Sequence, residues 1–220
     1  IPRIAINFGD PHFTSVTGVN FHFEAPGAYH LFNSSIVDAQ VLIVPCNNRV
    51  SCRRISEVSL RTSKTELSVR YNDFETVVSS LFDKTSNTSK ELSKSDEWAE
   101  DADIRYRWLT DNILEVRIQD EIQFNILSYY GTIGTAIEVL KQRDQTDGIC
   151  GEKESSWIRQ QGNQSLTSKN QIADTSNNDT TDQQGLTQAT IQKRLITRFR
   201  ILEKDNSLTT KYASRSYSGR

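Results

Sequence analysis

The chain contains no methionine, four prolines and three cysteines in 220 residues. It is too long and too poor in cysteine to be a scaffold held by disulfides alone. Its length fits one large domain or two small ones, at a usual domain size of roughly 100–200 residues. Neither sign of charge dominates, because 26 Lys and Arg stand against 28 Asp and Glu for a net charge of −2. Without a global basic field there is nothing to hold a phosphate backbone at physiological salt, so nucleic acid is excluded as the expected partner. The longest apolar run is Val41-Leu42-Ile43-Val44, against the roughly 20 residues that a helix needs to cross a bilayer. No membrane insertion is expected. A sequence that begins at Ile1, holds no Met and shows no charged-then-apolar leader reads as a processed or excised piece.

What is present points outside the cell. Cys46 and Cys52 flank a short polar segment and can close it as a local disulfide; the alternative is a pair of free thiols. A metal site there is the weakest reading, since no second Cys or His pair stands at ligand spacing. Acceptor sequences for N-linked glycans, Asn-x-Ser/Thr, occur at Asn33, Asn87, Asn163 and Asn178, each in a polar stretch. A disulfide and glycans together imply an extracellular, secreted or cell-surface compartment.

Between Val19 and Arg143 apolar residues recur mostly with period two, as in Phe21 and Phe23, Leu67 and Val69, or Val116 and Ile118. That period predicts strands at 19–25, 28–33, 39–45, 55–62, 65–71, 75–82, 103–110, 112–119, 122–129 and 135–141. So many short strands without intervening helices predict an all-β, antiparallel β-sandwich. The exception is 86–103, dense in Lys, Glu, Asp and Ser, which fits a long polar hairpin loop or a short surface helix. Beyond Trp157 the composition changes, and 161–190 has no aromatic, Cys or Pro. Such a stretch buries too little apolar surface to offset its ordering entropy. The expected organisation is a β-domain over 1–157, a polar low-complexity excursion over 158–192, a closing strand of the same domain over 193–212, and a linker or docking tail over 213–220.

The sharpest local signal is Gly9-Asp10-Pro11-His12-Phe13-Thr14, followed by Thr17-Gly18, the strand Val19-Asn20-Phe21-His22-Phe23, and Gly27-Ala28-Tyr29-His30-Leu31. In this order they resemble the start of a von Willebrand factor type D domain. Gln40 to Cys46 is similar to that family's third strand and local Cys loop. Asp147-Gly148-Ile149-Cys150-Gly151 is similar to its Cys-Gly turn, and Leu195 to Leu208 is weakly similar to a closing strand seen in some members. The resemblance covers roughly residues 8 to 157 and implies a sandwich of that type, acting as a non-enzymatic adhesion or assembly module.

The departures matter equally. The family holds calcium near its Cys-Gly turn, and a hard cation takes six to eight oxygen ligands. Here the first-turn position is Thr17 and the segment after Gly151 is Glu152-Lys153-Glu154. The resemblance therefore leaves Glu152 and Glu154 as the carboxylates a calcium ion would use. Ala28 replaces one family cysteine and Asp147 another, so Cys150 is left free, paired to a segment outside this chain, or used between chains.

One bond invites covalent chemistry. The Asp10 carboxylate can attack its own main-chain carbonyl to form a five-membered anhydride, with Pro11 as the leaving amine and His12 as general acid. Some proteins with a Gly-Asp-Pro-His sequence cleave themselves in this way. The alternative is structural, with Pro11 fixing φ at the start of a strand. Elsewhere Gly131-Thr132-Ile133-Gly134 lacks the rest of any phosphate-loop fingerprint, and Asp96, Glu97, Glu100, Asp101 and Asp103 read as a solvated acidic surface. Trp98, Trp108 and Trp157 are either core or interface anchors.

Three functions follow from these features. The leading one is a structural module of a cell-surface, matrix or filament glycoprotein that docks neighbouring domains or other subunits through sheet faces, an open edge strand and Cys150. The second is a self-processing domain cleaving at Asp10-Pro11. The third is a lectin-like, ligand-binding sandwich, for which no constellation of residues can be named.

Overall fold

The computed structural model describes residues 3–8, 11–23, 25–46, 52–72, 76–141, 145–154, 156–157, 190 and 192–200. Among them are β1 (Arg3–Phe8), β2 (His12–Thr14), β3 (Asn20–His22), β4 (Gly27–Asn33), β5 (Asp38–Pro45), β6 (Arg53–Arg61) and β7 (Thr65–Asn72). They continue with β8 (Thr76–Asp83), β9 (Thr88–Glu91), β10 (Ala99–Asp101), β11 (Ile104–Thr110), β12 (Ile113–Ile118), β13 (Ile122–Tyr129) and β14 (Thr132–Val139). Every strand that the hydrophobic period predicts is present.

The strands form two antiparallel sheets. One runs β4-β5-β6-β7-β8-β9 and the other β10-β11-β12-β13-β14-β1-β2-β3. Each is a meander of consecutive hairpins, except that β1 pairs with β14, from Arg3 opposite Val139 to Asn7 opposite Thr135. That pairing ties the start of the chain to the end of the strand series. The fold is an all-β sandwich, because each sheet must bury its apolar face against the other. Inward residues alternate along the strands: Ile104, Tyr106 and Trp108 on β11, Phe124 and Ile126 on β13, Val41 and Ile43 on β5, Leu67 and Val69 on β7. Aromatic contacts fill the centre and one end, with Phe32 edge-on to Phe124 at 6.3 Å and Phe23 edge-on to Tyr29 at 4.8 Å.

The 86–103 segment holds neither a helix nor one long loop. It contributes β9 and β10, the outermost strands of the two sheets on one side. All four β9 residues are exposed, so β9 is held by main-chain pairing to β8 and has no apolar face for a period to reveal. Lys90 on β9 bonds Asp101 on β10 at 2.5 Å and ties the two sheets at this side. Asp103, beside it, accepts from the Thr62 and Thr65 hydroxyls at 2.8 Å each.

The expected closing strand is corrected over residues 193–199. Residues 192–199 are helical, and among the described residues of this segment only Arg200 makes a β-bridge, to Tyr29. Leu195 and Phe199, four apart, are both buried, and Arg194 and Arg198 share a neighbouring stripe. The helical period overrides an alternation that was only approximate. Residues 158–189 of the polar excursion, the remainder of the closing segment after 200, and the 213–220 tail lie outside the described residues.

Candidate functional site

The cysteine loop forms as expected. Cys46 and Cys52 are joined by a disulfide, with Cα atoms 5.3 Å apart, and the Cys46 amide donates to the Cys52 carbonyl at 3.0 Å. Closing so short a loop restrains few unfolded conformations. The Cys46→Ala/Cys52→Ala variant is therefore expected to lose about 2 kcal/mol, read as a lower denaturant midpoint with the fold retained.

Opposite the β9/β10 side, the open edge of β4 is occupied. The Asn33 amide donates to the Asp147 carbonyl and the Asp147 amide to the Asn33 carbonyl, both at 2.8 Å. The Ile149 amide donates to His30 at 3.0 Å and the Cys150 amide to Leu31 at 2.8 Å. The Cys150 carbonyl accepts from the Val16 amide at 3.0 Å. Since β4 belongs to the six-stranded sheet and Val16 connects β2 to β3 of the other, Asp147 to Gly151 is a clasp between the sheets. Gly148, at φ +95°, lies so close to β4 that a Cβ would stand 2.8 Å from the Leu31 carbonyl oxygen.

A charged cluster holds the 192–199 helix onto this clasp. Glu154 is completely buried, and its carboxylate accepts from Arg194 Nε at 2.6 Å and Arg198 Nη1 at 2.9 Å. Arg198 also reaches Asp147 Oδ2 at 3.1 Å. The Arg194 guanidinium lies 4.1 Å from the centre of the Trp157 ring. Tyr29, under the Arg200 bridge, has its phenol pushed up by burial, with Arg200 acting in the opposite direction.

Both carboxylates that the resemblance leaves for calcium are in ion pairs. Glu154 is engaged by two guanidinium groups and Glu152 by Arg3. No group of three or more His, Cys, Asp or Glu among the described residues could hold a metal ion. Arg194 and Arg198 tie the Asp147 to Gly151 turn to the 192–199 helix through Glu154 and Asp147.

Cys150 is a free thiol with no exposed surface. Burial pushes its pKa far above that of an ordinary cysteine, so thiolate is scarce at neutral pH. A disulfide to another chain would require the clasp to leave β4 first. Alkylation of Cys150 by iodoacetamide is expected to be slow in the folded protein and fast in denaturant; equal rates would contradict this burial.

The three histidines lie in two places on the sandwich. His12 and His22 are cross-strand neighbours with ring centres 4.7 Å apart. His30 Nδ1 lies 2.6 Å from Asp38 Oδ1, while Gln40 donates to the other Asp38 oxygen at 2.6 Å. Asp10 lies outside the described residues, and the Pro11 carbonyl accepts from the Phe23 amide at 3.3 Å. Among the acceptor asparagines, Asn33 ends β4 and Asn87 lies in the β8–β9 turn, both exposed; Asn163 and Asn178 lie outside the described residues.

Trp108 is core, whereas Trp98 lies against three guanidinium groups, those of Arg105, Arg107 and Arg117, at 4.6–5.2 Å. Beneath them Glu115, 3% exposed, is bonded by Arg107 and Arg117. The alternation of Arg105 and Arg107 on β11, and of Glu115 and Arg117 on β12, is visible in sequence, but the Trp98 ring that the three guanidinium groups share comes from the 86–103 segment. The same is true of Arg194 and Arg198, whose four-residue spacing could have been read as one face of a helix.

No protein-family model matches the chain, and no curated protein matches it.

Proposed function

We propose that this chain is a non-enzymatic, extracellular module of von Willebrand factor type D character, which docks a neighbouring domain or subunit of a cell-surface, matrix or filament assembly. The observation that carries the reading is an apolar strip on the outer face of the eight-stranded sheet. Ile4 and Ile6 on β1 and Leu127 and Tyr129 on β13 are 38–57% exposed. In the pairing register Ile6 lies beside Ala136 and Leu127 beside Gly134, so small β14 residues leave the larger side chains prominent. Apolar residues on an outward face of a sandwich suit burial against an apolar protein surface. The edges suit it less. β4 is covered by the clasp, β3 and β10 are three residues each, and β9 is four. Assembly through the sheet face thus replaces the open edge and Cys150 as the physical means.

Two further features support the reading. The Cys46–Cys52 disulfide is compatible with an oxidising compartment, and no helix among the described residues is long and apolar enough to cross a membrane. Val16, just after the opening motif, hydrogen-bonds Cys150 of the Cys-Gly turn, so segments that carry the family resemblance meet in space.

The test is cross-linking mass spectrometry on the assembly from its native source, with non-reducing peptide mapping of the same sample. Links from Lys141, at the end of β14, to a different domain or subunit are expected, with Cys46 and Cys52 joined. Cross-links to partners exclusively from the six-stranded sheet would overturn the docking face. Free Cys46 and Cys52 thiols would overturn the extracellular assignment. Leu127→Arg/Tyr129→Arg should abolish association while leaving the thermal midpoint nearly unchanged, because both side chains already meet solvent.

A further inference from the structure

The turn between β8 and β9 differs from the rest of the sandwich. Every residue from 84 to 91 is exposed. The turn is closed without Asn87: Asp83 accepts from the Thr85 amide and the Ser86 hydroxyl, each at 2.7 Å, and the Ser86 and Thr88 hydroxyls lie 2.7 Å apart. Asn87 itself sits at φ 56°, a left-handed conformation that asparagine tolerates better than most residues. Its amide makes no hydrogen bond to the described residues, so attaching a group there breaks no contact. Asn87-Thr88-Ser89 is an acceptor sequence, and the Ser89 hydroxyl is exposed on the same hairpin.

The strand that follows is β9, the outermost strand of the six-stranded sheet. An outer strand presents unpaired main-chain groups to other chains and is a site of unwanted pairing unless it is covered. The β4 edge at the other end of that sheet has the clasp; among the described residues, β9 has the Lys90–Asp101 ion pair beside it and no strand paired to its outer side. We infer that Asn87 carries an N-linked oligosaccharide that covers the outer edge of the six-stranded sheet at β9. The inference rests on the extracellular reading above. In the transfer, Asn87 Nδ2 forms a bond to C1 of the first sugar of a lipid-diphosphate oligosaccharide donor. The C1–O bond to the diphosphate breaks, Nδ2 gives up one proton, and the lipid diphosphate leaves. The transferase of the secretory pathway supplies the catalysis. Asn33 also meets solvent, but both of its main-chain groups are bonded to Asp147 in the clasp.

The experiment is secretion of the full 220-residue chain from cultured animal cells behind an added signal sequence. Enzymatic glycan removal in heavy-oxygen water and peptide mapping follow. Asn87 should be converted to Asp with uptake of one heavy oxygen, and Ser89→Ala should lose that conversion. Wild type should sediment as a single species, while Asn87→Gln associates further with concentration. Secreted protein with Cys46 and Cys52 joined and Asn87 bare would overturn the inference and leave the extracellular reading standing. Asn87→Gln that associates no more than wild type would overturn the covering role. Protein retained in the cell with Cys46 and Cys52 free would overturn the extracellular reading and the inference with it.

Discussion

Arg194→Ala/Arg198→Ala is expected to lose about 3–5 kcal/mol of stability, more than Glu154→Ala. The asymmetry follows from burial. Glu154 has no exposed surface, whereas both arginine side chains are 35% exposed. Removing the two guanidinium groups strands a carboxylate in the interior, with the full desolvation cost and no compensating charge. Removing the carboxylate frees two cations that can turn towards water, so Glu154→Ala should cost about 1–3 kcal/mol, the range for a lost charged hydrogen-bond partner. Denaturant unfolding of the three proteins measures the order directly. Equal losses would mean that Glu154 reaches solvent and the clasp is looser than described.

The second large effect is expected at Gly151. A Cβ there would stand 2.3 Å from the Asp147 carbonyl oxygen and 2.4 Å from its carbon, both main-chain atoms of the same turn. No rotamer change relieves such a clash, so the turn itself must shift. Gly151→Ala should cost about 2–4 kcal/mol, the scale of overpacking combined with backbone strain. Because the shifted segment carries the hydrogen bonds to Leu31 and Val16, the same substitution should make Cys150 react faster with iodoacetamide. Gly18→Ala is the contrast. Nothing lies within 4 Å of a Cβ at Gly18, although its φ is +78°, so only the conformational cost of roughly 1 kcal/mol remains.

What could be read from the sequence was whatever depends on neighbours along the chain. The ten strands between Val19 and Arg143 follow from period-two burial, and the Cys46–Cys52 disulfide from close spacing. β1 was hidden because its pattern is inverted: Ile4 and Ile6 face outwards while Ala5 and Asn7 face in. Asn7 can be buried because its side chain bonds Thr135, donating to the hydroxyl at 2.6 Å and accepting from the amide at 3.0 Å. That partner is 128 positions away. β9 was hidden because an exposed outer strand needs no apolar alternation. The clasp lay beyond local reading altogether. Glu154 resembled a metal ligand while its arginines, forty and forty-four residues further on, were out of view.

A sandwich whose open β4 edge is closed by its own Asp147 to Gly151 turn should protect the amides that close it. Hydrogen–deuterium exchange resolved to single amides tests this most directly. The Cys150 and Val16 amides are expected to exchange as slowly as the inner strands β5 and β13, and to lose that protection together in Arg194→Ala/Arg198→Ala. Fast exchange of both amides in the wild-type protein, with β5 and β13 still protected, would show that the turn does not join the sheets and would contradict the clasp.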